Sequence, residues 1–250
     1  MSFFSFWRRK QATTTPTVTS AVDVAPPNPE AGEGVPRSML ESARDDGPPI
    51  SRAAARRVAQ WMRTNFGEKL DKAVEGTPFT ADHLIAIVCQ ETAIYWVNWI
   101  DKQDVKTIIE RAVFDASGDY PGTSRSAFPV NTAAFRSRLG NDFADMLIAE
   151  ANQMRALRSY KPSPWVYKGY GIFQYDLQYV LTDEAFFRNK QWYDFDVCLA
   201  KAMGELKSKY AVTHDVRQAI RAYNGSGPRA EQYASNVMQF LDWCSAPAVA

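Results

Sequence analysis

The sequence predicts a mainly α-helical fold, on three observations. Apolar residues recur at spacings of three and four over most of the chain beyond residue 50, the repeat of helices that bury one face. Regular apolar–polar alternation is confined to a short segment near 171–175. Apolar residues make up 46% of the 250 residues, which is enough to build a sizeable core.

The predicted helices have recognisable boundaries. Ser51 is a predicted N-cap for the first helix, and Thr80 is a predicted N-cap for a strongly apolar one after the Thr77-Pro78 break. A loop rich in Gly, Pro and Ser is predicted over 118–129, and 159–171 is irregular and aromatic. The predicted helical segments, in chain order, are 53–65, 70–74, 81–96, 105–114, 132–157 as one helix or two, 183–210, 215–223 and 229–243.

The first fifty residues differ in composition from the rest. They hold half of the fourteen prolines, together with many Thr, Ala and Gly. Such a stretch cannot bury enough apolar surface to order itself. We therefore predict a disordered Pro/Thr-rich tail over 1–50, with one short helix near 36–44, and a single domain over 51–250.

Charge and cysteine content narrow the classes of function. A net charge of +1 gives no basic field for nucleic acid, so no nucleic-acid partner is predicted. The three cysteines fit no metal or redox spacing, and no metal or cofactor is predicted. We expect three reduced thiols in a chain of this size, with a Cys198–Cys244 bridge as the alternative.

The N-terminal sequence MSFFSFWRRK bears on location. An apolar patch precedes positive charge, the reverse of a secretory signal, so no signal peptide is recognised. No apolar run is long enough to cross a bilayer, and no stable membrane insertion is predicted.

The segment Leu84 to Ala93, LIAIVCQETA, contains the first chemical signal. Leu84, Ile87, Val88 and Glu91 fall on one helical face, so a carboxyl ends an apolar stripe. Burial raises the pKa of a carboxyl, and a general acid at neutral pH needs that shift. The alternative is a helix that ends before Glu91 and leaves its side chain in water.

Two further segments carry weaker signals. In YKGYGIFQYD, two glycines flank Tyr170, which suits a tight backbone approach or a positive φ, and Gln174 offers a donor and an acceptor. In AIRAYNGSG, Tyr223 and Asn224 stand at the predicted end of a helix, where polar side chains can face a cleft. Each segment alone also fits an ordinary turn or helix cap.

Taken together and in this order, the three segments resemble the lysozyme superfamily, in particular goose-type lysozymes and soluble lytic transglycosylases. In that branch a helix reading like AIIAQES ends at the catalytic Glu. A GxGLMQ turn, an AYNAG segment and a final helix with a Tyr follow. The corresponding segments here are IVCQET, GYGIFQYD, AYNGSG and EQYASNVMQFL. The resemblance covers about 51–245.

The resemblance departs from the family pattern in several places. Thr92 replaces a Ser, Ala93 a frequent Gly and Phe173 a Met. The longer gap between Glu91 and Gly169 implies an inserted helical segment, about 105–160, that could wall the groove. The expected fold is thus a lysozyme-like helical domain with a small β-turn or hairpin near 169–176. Plant-type chitinases are more distantly similar through QET and the Gly-rich turn, and the AYN segment favours the transglycosylase branch.

The resemblance implies an enzyme, a muramidase or a lytic transglycosylase, that cleaves the β-1,4 bonds of peptidoglycan with Glu91 as catalytic acid. Asp176 falls where goose-type lysozymes keep an Asp, and Tyr233 matches the Tyr of the closing helix. Gln174, Tyr223, Asn224 and Tyr233 would bind substrate. We also predict that Trp165 and Tyr170 line the sugar groove, because apolar sugar faces stack on aromatic rings.

The sequence leaves the second half of the mechanism open. An inverting hydrolase needs a base about 6.5–9.5 Å from the acid, and the candidates are Asp176 first, then Asp101 and Asp104. A lytic transglycosylase needs no second carboxylate. A chitinase-like hydrolase and a non-catalytic glycan-binding or scaffold module remain alternatives.

A cell-wall substrate has consequences for delivery. With no recognised signal peptide, we expect delivery to the wall by a non-classical route. The protein would then be a bacteriolytic effector delivered by a secretion machine, a phage lysin released by a pore, or a wall enzyme of an export apparatus. A secretion machine or an immunity protein would then be a partner.

Overall fold

The computed structural model describes residues 47–115, 118–121 and 123–245. These residues fold into a mainly helical structure with a small three-stranded antiparallel sheet, which confirms the predicted fold class. The helices are α1 (Arg52–Val74), α2 (Ala81–Glu91), α3 (Ala93–Trp96), α4 (Val105–Glu110), α5 (Thr132–Leu139), α6 (Asn141–Leu157), α7 (Glu184–Arg188), α8 (Phe195–Thr213), α9 (Val216–Asn224) and α10 (Pro228–Ser245). Short 3₁₀ turns occur at Val97–Trp99, Leu177–Leu181 and Gln191–Tyr193.

The sheet contains the predicted hairpin and one strand that was not predicted. The strands are β1 (Val113–Phe114), β2 (Gly169–Tyr170) and β3 (Tyr175–Asp176), in the order β1-β2-β3. Val113 pairs with Tyr170, and Tyr170 pairs with Tyr175. The sheet therefore joins the segment after α4 to the Gly-rich turn, although the two are more than fifty residues apart in sequence.

Helix α2 lies at the centre of the core. Every residue from Ala81 to Cys89 is buried except Asp82, and the helix packs against α1 and α10. At its start, the ring Nδ1 of His83 accepts the backbone N–H of Thr80 at 3.1 Å. With both faces covered, α2 holds its C-terminal residue, Glu91, in a fixed position relative to α10.

Several predicted boundaries were wrong, each for a local reason. The segments 53–65 and 70–74 form one continuous helix, capped by Ser51 as predicted. The predicted helix 81–96 breaks at Thr92, whose φ of −133° is not helical. The predicted helix 105–114 ends at Glu110 because its last residues enter the sheet. The predicted helix 183–210 is interrupted near Lys190, which adopts a left-handed φ of 52°.

The inserted segment predicted over 105–160 contains α4, β1, α5 and α6. Helices α5 and α6 are separate, since Gly140 between them has a φ of 91°. Glu150 of α6 is buried and accepts hydrogen bonds from Arg111 at 2.7 Å, from Lys190 at 2.6 Å and from the Tyr193 hydroxyl. This buried network fixes the inserted segment against the segment that precedes α8.

Residues 47–50, which were predicted to belong to the tail, contact the helical domain. Asn236 donates its side-chain N–H to the carbonyl of Gly47 at 3.2 Å, and Ile50 belongs to the buried core. The rest of the predicted tail, 1–46, and the predicted helix near 36–44 lie outside the described residues. Of the helices that the structure describes, none combines the length and the hydropathy needed to span a bilayer.

All three cysteines are buried and free. The Cys244 thiol donates to the Ala55 carbonyl at 3.8 Å, and the Cys198 thiol donates to the Trp192 carbonyl at 3.4 Å. Reduced thiols were predicted; the alternative Cys198–Cys244 bridge is not the arrangement found.

Candidate active site

Glu91 is the last residue of α2 and lines an open cleft. The apolar face that ends with it, formed by Leu84, Ile87 and Val88, is fully buried, whereas Glu91 itself is only partly buried. Its Oε1 accepts a hydrogen bond of 2.7 Å from the hydroxyl of Tyr233 on α10. The helix therefore continues to Glu91 and delivers its carboxyl to the edge of the core with a fixed orientation.

The surroundings of Glu91 raise the pKa of its carboxyl above the ordinary value. Burial raises the pKa of Glu91 from 4.5 to about 7, against the lowering effects of the Tyr233 hydrogen bond and of the Lys168 charge. The negative charges of Asp115 and Glu205 raise the pKa further. A carboxyl with this pKa is largely protonated in mildly acidic solution and can donate its proton near neutrality.

The Gly-rich turn between β2 and β3 forms the neighbouring wall of the cleft. Gly171 and Gln174 adopt left-handed φ values of 76° and 55°. A Cβ on Gly169 would overlap the Gln174 side-chain oxygen, and a Cβ on Gly171 would lie 2.5 Å from the Cys198 sulfur. Close approach and positive φ, which the sequence predicted, are thus both present here.

The hydroxyl of Thr92 connects this turn to the end of α2. It donates to the carbonyl of Ile172 at 3.0 Å and accepts from the indole N–H of Trp96 at 3.0 Å. Thr92 is fully buried, so water does not compete for these bonds. Thr92, the residue after Glu91, therefore fixes the position of Glu91 relative to the Gly-rich turn.

The end of α9 provides the third wall. Tyr223 donates its hydroxyl to the carbonyl of Phe173 at 3.0 Å and stacks with Tyr233 at a ring distance of 6.5 Å. Asn224 is exposed at the cleft, just before Gly225 ends the helix with a φ of 131°. The three segments that the sequence singled out therefore meet around Glu91.

The cleft has a volume of about 230 Å³ and a mostly polar lining. Its walls come from the ends of α2 and α9, the hairpin, the residue after β1, and α8. The lining residues are Glu91, Asp115, Lys168, Gly169, Gln174, Asp176, Gln178, Tyr179, Glu205, Tyr223 and Asn224.

Two acidic residues of the cleft are neutralised by nearby cations. Asp176 forms a two-pronged ion pair with Arg125, whose side chain is only 7% exposed. Asp176 also accepts the backbone N–H of Gln178 at 2.7 Å. Asp115 pairs with Lys168 at 2.9 Å and has a left-handed φ of 69°. Strained backbone of this kind clusters at functional sites.

Glu205 is a further acidic residue of the cleft, and the sequence analysis missed it. It lies on α8 and lines the same cleft as Glu91. Burial raises its pKa, although Lys209 and the Tyr179 hydroxyl oppose that rise. A Glu in the middle of a long helix is typical of a solvent-facing residue, and no local pattern distinguishes this one.

Other predicted groove residues lie elsewhere. Tyr170 is fully buried, with its ring 4.8 Å from Trp192, so it offers no face to a sugar. Trp165 packs edge-on against Tyr120 at 5.6 Å and is not part of the cleft lining. The aromatic rings that do line the cleft are those of Tyr179 and Tyr223.

The alternative second carboxylates, Asp101 and Asp104, are both exposed and outside the cleft. Asp101 pairs with Arg57, and Asp104 caps α4 by accepting the backbone N–H of Thr107 at 2.6 Å. In the described ranges there is also no cluster of three His, Cys, Asp or Glu side chains that could hold a metal ion.

Comparison with known proteins gives no further guidance: no family model, curated protein or solved structure matches this chain. What the cleft can do therefore follows from its own side chains. They provide one carboxyl with a pKa of about 7, further acidic side chains, amides and two tyrosine rings, in an open groove. This set suits acid–base chemistry on a polar, uncharged substrate such as a glycan.

Proposed function

We propose that this protein cleaves the β-1,4 glycosidic bond of peptidoglycan, as a muramidase or a lytic transglycosylase, with Glu91 as the general acid. One observation carries the proposal. Glu91 has a pKa of about 7, is oriented by Tyr233 and opens into a polar cleft. Glycosidic bonds need a protonated carboxyl beside the leaving oxygen, and this one is available near neutral pH.

Tyr233 determines which oxygen of Glu91 carries the proton. Because its hydroxyl donates to Oε1, the proton of the neutral acid resides on Oε2, where it can be passed to the glycosidic oxygen. As the proton leaves, negative charge develops on Glu91. The Tyr233 hydrogen bond and the Lys168 charge both favour that ionised form, so their stabilisation is larger in the transition state than in the ground state.

The remaining cleft residues fit a glycan. Asn224, Gln178 and Gln174 bring amide groups that can bind hydroxyls and N-acetyl groups, and Tyr179 brings a ring for an apolar sugar face. Peptidoglycan and chitin share the β-1,4 linkage. Peptidoglycan is the proposed substrate, and chitin is tested beside it.

A peptidoglycan substrate also requires delivery. We place the action of the protein at the cell wall, reached by a non-classical route, with a secretion machine or an immunity protein as candidate partner. Lysis of cells whose wall the protein reaches, dependent on Glu91, is the expected phenotype.

The test is mass spectrometry of the products released from purified sacculi, with a chitin oligomer in parallel. Wild type should release soluble muropeptides, and release by Glu91→Gln should be lower by about 100-fold or more. Glu68→Gln, an exposed Glu on α1, is the matched control and should behave like wild type. Anhydro ends would identify a transglycosylase and reducing ends a hydrolase.

Two outcomes would contradict the proposal. Cleavage of chitin alone would transfer the assignment to a chitinase-like hydrolase. Tight binding of sacculi without any cleavage, equal in wild type and Glu91→Gln, would show a non-catalytic glycan-binding or scaffold module.

A further inference from the structure

The acidic residues of the cleft differ in how strongly their oxygens are already engaged. A base for the attacking water must be ionised, must reach the cleft and must have an oxygen free to accept a proton. Glu91 cannot fill this role while it serves as the acid. The candidates are therefore Asp115, Asp176 and Glu205.

Asp176 does not meet these conditions. Two N–H groups of the buried Arg125 bind its two oxygens, and Oδ1 also accepts the backbone N–H of Gln178. Protonating Asp176 would break a two-pronged ion pair and leave a buried guanidinium without its counter-charge. Its position therefore favours a role in holding the start of the 3₁₀ turn after β3.

Asp115 also forms an ion pair at the cleft. Its Oδ2 lies 2.9 Å from Lys168 Nζ, and the two charges form a pair at the cleft. Lys168 is at the same time one of the charges that favours ionised Glu91. Protonation of Asp115 would remove the partner of Lys168.

Glu205 has the required freedom. Its side chain is 22% exposed. Both of its contacts are long and made by Oε1: the Tyr179 hydroxyl at 3.4 Å and Lys209 Nζ at 3.8 Å. In the part of the chain that the structure describes, no hydrogen bond or ion pair reaches Oε2.

The groups around Glu205 act on its pKa in opposite directions. Lys209 and Tyr179 favour the carboxylate, while burial raises its pKa and so its affinity for a proton. Glu205 and Glu91 are close enough for the charge of Glu205 to raise the pKa of Glu91. Among the described residues, the titratable or charged groups around Glu205 include Glu91, Tyr175, Asp176, Tyr179, Cys198, Lys201, Lys209, Tyr223 and Tyr233.

We propose that Glu205 is the second catalytic carboxyl of this cleft, the base that activates water in an inverting hydrolysis. This inference rests on the proposed function. Glu205 takes a proton from water while the water oxygen forms a bond to the anomeric carbon. The bond from that carbon to the leaving oxygen breaks, and the leaving oxygen takes the proton of Glu91. Solvent then returns a proton to Glu91 and removes one from Glu205.

The test compares Glu205→Gln and Glu205→Ala of the full chain with wild type, with Glu68→Gln as control. Loss of a positioned base should lower kcat by about 100-fold or more, with KM changed little. Sodium azide should restore turnover of Glu205→Ala, because azide needs no base, and should yield a glycosyl azide of inverted configuration. A purely structural role would not give azide rescue.

The outcomes separate this inference from the proposed function. Anhydro products from wild type, or a Glu205→Gln variant with nearly wild-type kcat, would overturn the role of Glu205 and leave Glu91 as the acid. Loss of activity in Glu205→Ala without azide rescue, at an unchanged melting temperature, would also overturn it. Absence of cleavage by wild type itself would overturn both.

Discussion

Replacing Glu91 by Gln should stabilise the folded protein at neutral and alkaline pH. The folded pKa of Glu91 is raised from 4.5 to about 7, so folding favours the protonated form. The stability that this preference contributes is fully present below pH 4.5 and is lost as the pH rises to about 7. At about 1.4 kcal/mol per pKa unit, the loss is about 3 kcal/mol, and it stays constant at higher pH.

The amide introduced by Glu91→Gln is neutral at every pH and can still accept the Tyr233 hydrogen bond. The melting temperatures of Glu91→Gln and wild type should therefore agree near pH 4 and diverge up to about pH 8. For a domain of this size, about 3 kcal/mol corresponds to roughly 6–12 °C. Differential scanning calorimetry across this range measures the difference, with exposed Glu68→Gln as a control that should show none of it. A difference that does not grow between pH 4.5 and 7, or that favours wild type, would refute the reasoning.

Three further predictions concern the groups around Glu91. Tyr233→Phe removes a hydrogen bond to the ionised carboxylate of Glu91, which is worth about 1.5–3 kcal/mol. The pKa of Glu91 should therefore rise by about one to two units in a ¹³C NMR titration. An unchanged pKa would contradict the role assigned to Tyr233. Thr92→Val removes a fully buried hydroxyl that hydrogen-bonds to Ile172 and Trp96. The free energy of unfolding, measured by urea titration, should fall by about 2–4 kcal/mol. A fall below about 0.5 kcal/mol would argue against Thr92 as the connection between α2 and the Gly-rich turn. The methyl group introduced by Gly169→Ala would overlap the Gln174 side chain and displace it. Glycan cleavage should fall by up to about 100-fold, with a much smaller change in melting temperature. Full activity would show that the position of Gln174 is dispensable.

The sequence predicted those parts of the fold that depend on local patterns. The apolar stripe of α2, the N-cap at Ser51 and the hairpin around Gly169–Gln174 all arise from residues close together in the chain. Strand β1 was missed because two residues after a helix carry no strand pattern of their own, and their conformation depends on pairing with Gly169 and Tyr170.

For the candidate site too, the sequence predicted the residues that belong to local motifs. Glu91, Gln174, Tyr223 and Asn224 were placed together because their segments carry recognisable motifs, and the cleft brings them together. Glu205 was not predicted, since its approach to the cleft depends on how α8 packs on the hairpin. Single aromatic residues were equally hard to place.

Tyr170 shows why. It stands between two glycines in an irregular stretch, which favours exposure, yet residues of a strand alternate between the two faces of the sheet. Its side chain enters the face covered by Phe187 and Trp192 and becomes part of the core. Only the tertiary structure determines which face is covered.

The central claim is that Glu91 donates a proton to the leaving oxygen, and a change of leaving group tests it most directly. A dinitrophenyl glycoside of the glycan that wild type cleaves needs no protonation of its leaving group. We expect Glu91→Gln to cleave this substrate at a rate near that of wild type, while its cleavage of natural glycan falls by about 100-fold or more. Equal losses on both substrates, or cleavage of natural glycan at the wild-type rate, would contradict the assignment of Glu91 as the acid.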